Sequence, residues 1–199
     1  MPPFDYSDPP PSKFEPKIPE GTKTTVVIHV KQGGVGEDQM LTRSKDGGCE
    51  MLVAELTIVD GAYKGRKIFE RWILAGTTDG HAKSADINRG TLKAILDSAL
   101  GLKPDDISPQ ARAARTVSLK DFEGKTFLGK IGVEKGKPKN DGSGENWPDR
   151  NILAAVITPD KKEWRASEQP PPFNGGNSGG AATPSSSSAL PIERPGWAS

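Results

Sequence analysis

An all-β domain carrying one main helix is the fold this sequence predicts, and three patterns carry the prediction. Leu52, Ala54, Leu56 and Ile58 alternate at period two, as a half-buried strand requires. Residues 87–102, INRGTLKAILDSALGL, place Ile87, Leu92, Ile95, Leu96, Ala99 and Leu100 at helical spacing. Elsewhere, short β-branched and aliphatic runs recur between glycine-rich and polar turns.

A first strand is expected from Lys23 to Lys31, followed by the flexible loop QGGVGEDQMLTRSKDGG with its five glycines. That loop resembles a phosphate cradle only superficially, because neither a lysine-serine/threonine signature nor a helix start follows it. A hairpin comes next, with strands at about 50–59 and 66–75, turned by Asp60-Gly61 and Lys64-Gly65. The polar connector GTTDGHAKSADI ends in Ser84 and Asp86, either of which could cap the helix. Gly101 suits its C-terminal cap, and Pro104 forbids continuation. PDDISPQARAARTVSL reads as a connector with a second short helix. KTFLGKIGVEKGK is the fourth strand, with Phe127, Ile131 and Val133 on one face and Leu128 and Lys130 on the other. A loop, GKPKNDGSGENWPDR, leads to the last strand, NILAAVIT. Three strands, a helix, then two strands is the order of a five-stranded OB-fold barrel, whose nucleic-acid surface lies on its middle strands and adjoining loops.

Composition limits the folded part. Residues 1–16 hold six prolines and few aliphatics, and residues 166–199 are mostly Pro, Gly, Ser and Ala. Neither end offers enough apolar surface to offset the entropy of ordering, so both are expected to be disordered around one domain at 17–165. That domain carries 25 Lys and Arg against 21 Asp and Glu, and the ends carry 2 against 5. So small an excess makes any polyanion affinity depend on local clustering. The single cysteine, Cys49, excludes an intrachain disulfide and points to a reducing compartment. With no signal-like N-terminus and no long apolar run, no membrane role is expected and a cytoplasmic location is.

The strongest local signal is the hairpin's second strand. Ile68, Trp72 and Leu74 share one face, while Lys67, Phe69 and Arg71 share the other, with Arg66 beside them. A ring between cations suits a flexible polyanion with exposed bases, since cations neutralise phosphates and the ring stacks any base. The pattern alone leaves open the other reading, in which Phe69 is core and the cations are solvated. A second basic cluster, Lys125, Lys130, Lys135, Lys137 and Lys139, leads into a loop with Trp147 and Arg150. Mobile cations and a ring there could close over a strand, or the segment could be an ordinary hairpin tip. Arg43 and Lys45 in the glycine loop are secondary candidates for phosphate contact.

No catalytic signature appears. Cys49, His29 and His81 lack zinc-site spacing, and the carboxylates are scattered without a paired arrangement. His29, among β-branched residues, reads as structural, and His81 as solvated. No enzyme, cofactor or metal is expected. The terminal LPIERPGWAS, on its Pro/Gly/Ser linker, has the form of a tethered peptide, with Leu190, Ile192 and Trp197 as its apolar anchors.

VDGAYKGRKIFERWIL, the helix that follows it, FEGKTFLGKIGVEKG and WPDRNILAAVI together resemble the phage-borne OB-fold single-stranded DNA-binding proteins, long labelled only as uncharacterised phage proteins. Gly65-Arg66, Gly124-Lys125 and Asn151 anchor the resemblance, which spans roughly 17–165. It implies sequence-tolerant binding of single-stranded DNA in phage replication or recombination, inside a bacterial host, with no catalytic residue. The tail departs from the bacterial single-strand binding proteins, which end in an acidic run closing on Pro-Phe. Contact of this tail with replication or recombination proteins is therefore expected on the anchors alone. Two rival readings stand beside this one. The first is an OB-fold module for RNA or a protein partner. The second is a metal-dependent nuclease or recombination enzyme.

Overall fold

Alternation along each strand decides which side chains are buried, and the structure, a computed structural model, describes this for residues 17–139 and 143–164. The expected disordered ends, and with them Leu190, Ile192 and Trp197, lie outside the described residues. In chain order the elements are β1 (Lys23–Val30), β2 (Leu41–Arg43), β3 (Cys49–Ile58), β4 (Lys67–Gly76), α1 (Asp79–Leu100), α2 (Pro109–Arg115), β5 (Thr126–Glu134) and β6 (Arg150–Ile157).

The six strands form one antiparallel sheet with β3 as its hub. One edge of β3 pairs with β4, with Glu55 opposite Phe69. Its other edge is shared by β2, at Leu52 opposite Leu41, and by β1, at Glu55 opposite His29. β1 continues to β5 and β5 to β6. Leu52, Ala54, Leu56 and Ile58 are all buried, as their alternation requires.

Three expectations need correction. The glycine loop contains a strand, β2, which brings the strand count to six. Three residues are too few to show a period, and β2 is held by its pairing with β3 and by Leu41 packing on the core. The sheet is also open where a closed barrel was expected. β4 and β6 share no ladder; instead Glu70 Oε1 accepts from the Leu153 N–H at 2.6 Å. Burial of that carboxyl pushes its pKa up, outweighing the Leu153 hydrogen bond that opposes the shift.

Finally, α1 begins two turns earlier than expected. Thr78 caps it by accepting from the His81 N–H at 3.2 Å. Ser84 and Asp86 sit inside the helix, satisfied by the Gly80 carbonyl and by Arg89. His81 is therefore not solvated: it packs against Gly76, and its Nδ1 is buried with no partner among the described residues. Gly101 ends α1 in the left-handed region at φ 69°, as expected. The short second helix is present as α2.

α1 lies on the sheet through Leu92, Ile95 and Leu96, while Ile87, placed on the same stripe by spacing, is 62% exposed. Asp97 is completely buried. It accepts from Arg115 Nε at 2.6 Å and Lys93 Nζ at 2.8 Å, and Arg115 also donates to the Lys103 carbonyl. This network ties α2 and its connector to α1. Across the molecule, Asn151 clamps Ile18, accepting from its N–H and donating to its carbonyl. Among the described residues no helix is long and apolar enough to cross a membrane.

Candidate functional site

Ile68 and Trp72 turn inward on β4 and are buried, so Lys67, Phe69 and Arg71 must face outward. Phe69 is 52% exposed, which decides against the core reading of its ring. The adjacent strands extend this face. Glu55 on β3 stands directly between Phe69 on β4 and His29 on β1. Lys31, just past β1, places its Nζ 5.0 Å from the centroid of the Phe69 ring. Lys67 Nζ pairs with Glu55 Oε1 at 2.7 Å. That hydrogen bond holds the Glu55 carboxyl below its usual pKa, so it stays ionised near neutrality. His29 Nδ1 lies 2.8 Å from Glu123 Oε1, and Glu123 also accepts from the Val30 N–H. The Arg71 side chain has no hydrogen bond or ion pair among the described residues.

The second cluster occupies the connection from β5 to β6. Its arms are paired, as in a hairpin tip. The Trp147 N–H donates to the Lys137 carbonyl and the Lys139 N–H to the Glu145 carbonyl, both at 2.8 Å. A side chain at Gly136 would place its Cβ 1.5 Å from the Trp147 carbonyl oxygen, so this crossing demands glycine. Trp147 is 60% exposed, with Lys139 Nζ 5.7 Å from its ring centroid.

Several of the cations here already have carboxylate partners. Asp149 meets Lys135 and Lys17 at 3.1 Å each. Together with the Gly136 N–H, the largest influence, they hold its carboxyl far below the usual range. Lys139 pairs with Glu145 and Arg150 with Glu134. Lys137 is exposed and has no such partner among the described residues.

The remaining candidates are dispersed. Lys130 stands on β5 in register with Lys23 and Ala155, not with β4. Arg43 pairs with Glu50 at 2.8 Å, Lys45 is exposed in the β2–β3 turn, and Arg66 is half-buried where β4 begins. Glu70, between Phe69 and Arg71 in sequence, turns to the other side of β4 with Ile68 and Trp72 and bonds Leu153 on β6.

Sequence reasoning missed Lys31 and Glu55 as members of the face. The same alternation that exposes Phe69 could have found both, since Val27, His29 and Lys31 are outward at period two and Glu55 lies between buried Ala54 and Leu56. Among the described residues no three His, Cys, Asp or Glu side chains gather as metal ligands.

Residues 34–141 match a family described as a protein of unknown function, DUF669. No curated protein and no solved structure matches the chain.

Proposed function

We propose that this chain, which belongs to the DUF669 family, binds single-stranded DNA without needing a fixed sequence. The observation that carries the reading is the half-exposed Phe69 ring, flanked on its own strand by Lys67 and Arg71 and covered by Lys31. A ring so placed stacks an unpaired base, at about 1–3 kcal/mol per base, while the cations release counterions from the phosphates. Duplex bases are already stacked on one another, so the ring favours single strands. Trp147 and Lys137 offer a second stacking and phosphate-binding point on the β5–β6 connection.

We also read the strand order as that of an OB-type fold left open between β4 and β6, in which β2 is an insertion in the first loop. The neighbours β1–β3, β3–β4, β1–β5 and β5–β6, with the main helix between β4 and β5, support that reading. In it, the Glu70–Leu153 bond stands where the last ladder would close. A role in phage DNA replication or recombination rests on the sequence resemblance, not on the site.

Titration of fluorescent single-stranded and duplex oligonucleotides of one sequence, at two salt concentrations, tests the proposal. Tighter binding of the single strand, weakening as salt rises, is expected. Equal or tighter binding of the duplex would contradict it.

A further inference from the structure

A carboxylate at the centre of a cationic face lowers its attraction for phosphate, so Glu55 calls for another explanation. Its side chain is only 16% exposed, and the register sets it directly opposite Phe69. Oε1 is anchored by Lys67 at 2.7 Å, while the other oxygen makes no hydrogen bond among the described residues. We propose that Glu55 reads the base stacked on Phe69 by accepting a hydrogen bond from an exocyclic amino group, so that the site favours cytosine over thymine.

The inference rests on the stacking reading above and adds base discrimination to it. Directly opposed residues of an antiparallel pair hold their side chains about 4.5–5.5 Å apart on one face. A base lying on the Phe69 ring overhangs it and carries an edge toward Glu55. Cytosine presents an N4 amino donor, whereas thymine presents an O4 acceptor that an acceptor-only carboxylate repels. Lys67 fixes the carboxylate in place beforehand, and the Lys31 ammonium, held by the ring and by its attraction to the Glu55 charge, can shift to the incoming phosphate. Glu55 is thus a specificity-determining residue, and affinity itself comes from the ring and the cations.

The test titrates the full-length protein with fluorescent oligo(dC) and oligo(dT) of about 15 nucleotides, at one salt concentration and a pH where oligo(dC) stays unpaired. Oligo(dC) should bind tighter by roughly fivefold, the effect of one hydrogen bond to a charged group partly shared with a lysine. Glu55→Gln, whose amide can donate as well as accept, should bring the ratio close to one and raise the affinity for oligo(dT). Equal affinities of the unsubstituted protein, a preference for oligo(dT), or a preference that survives Glu55→Gln would each overturn the inference and leave the stacking reading in place. Failure to bind either oligonucleotide would overturn both. The comparison on the unsubstituted protein decides the matter even if the variant fails to fold.

Discussion

The ammonium of Lys31 lies 5.0 Å from the centroid of the Phe69 ring, reaching it from β1 across β3. An exposed cation–π contact of this kind is worth about 0.5–1 kcal/mol. A stacked base is worth about 1–3 kcal/mol. A base can therefore displace Lys31, which becomes available to the phosphate that arrives with it. The ring is kept covered in the free protein without being blocked.

Arg71 and Lys137, whose exposed side chains have no partner among the described residues, are the cations best able to release counterions. Arg71→Ala and Lys137→Ala should each flatten the slope of log K against log salt by about 0.7. Lys135→Ala should change it less, because Asp149 already neutralises that ammonium. Binding isotherms at three salt concentrations measure the slopes.

Trp147→Ala should weaken single-stranded DNA binding by about 1–3 kcal/mol. The bonds that pair the two arms of its loop come from the backbone, including the Trp147 N–H to Lys137, so the substitution leaves them in place. A thermal melt run beside the titration should show an unchanged midpoint.

Most of the sheet was legible because long strands with one buried face announce themselves. Leu52 to Ile58 are buried in alternation, as expected, whereas on β5 Leu128, expected on the outer face with Lys130, is buried beside Phe127. β2 was not legible, since three residues carry no period and its place depends on β3. The start of α1 was missed because the chain offers Thr78, Ser84 and Asp86 as caps, and only the fold selects Thr78. At the site, the outward alternation of β4 gave Lys67, Phe69 and Arg71. Lys31 and Glu55 are outward by the same alternation, and the register between β1, β3 and β4 is what sets them beside Phe69. The pairing of Lys135, Lys139 and Arg150 with carboxylates was equally invisible to a reading of cation clusters.

Asp97→Ala should destabilise the fold by about 3–5 kcal/mol, because it strands the largely buried guanidinium of Arg115 without its charge partner. Urea denaturation should show a lower midpoint with an unchanged m-value. Affinity per folded molecule should stay the same, since Asp97 is remote from the outward face of β4.

Glu70→Gln should stabilise the protein near neutral pH. The folded-state pKa of Glu70 is raised, chiefly by burial. The folded protein therefore holds this proton more tightly than the unfolded chain does. That carboxyl lowers stability progressively as pH rises through the unfolded and then the folded pKa, and it contributes nothing once protonated in both states. Glutamine can still accept from Leu153 without burying a charge. The variant's advantage over the unsubstituted protein should appear near neutrality and disappear at about pH 4 or below, as denaturation midpoints at the two pH values will show.

Phe69→Ala tests the central claim most directly, because half of that ring is already in solvent and its removal leaves the core intact. Oligonucleotide affinity should fall by about 1–3 kcal/mol while the thermal midpoint stays within a degree or two of the unsubstituted protein. Unchanged affinity for single-stranded DNA in a folded Phe69→Ala protein would contradict the account.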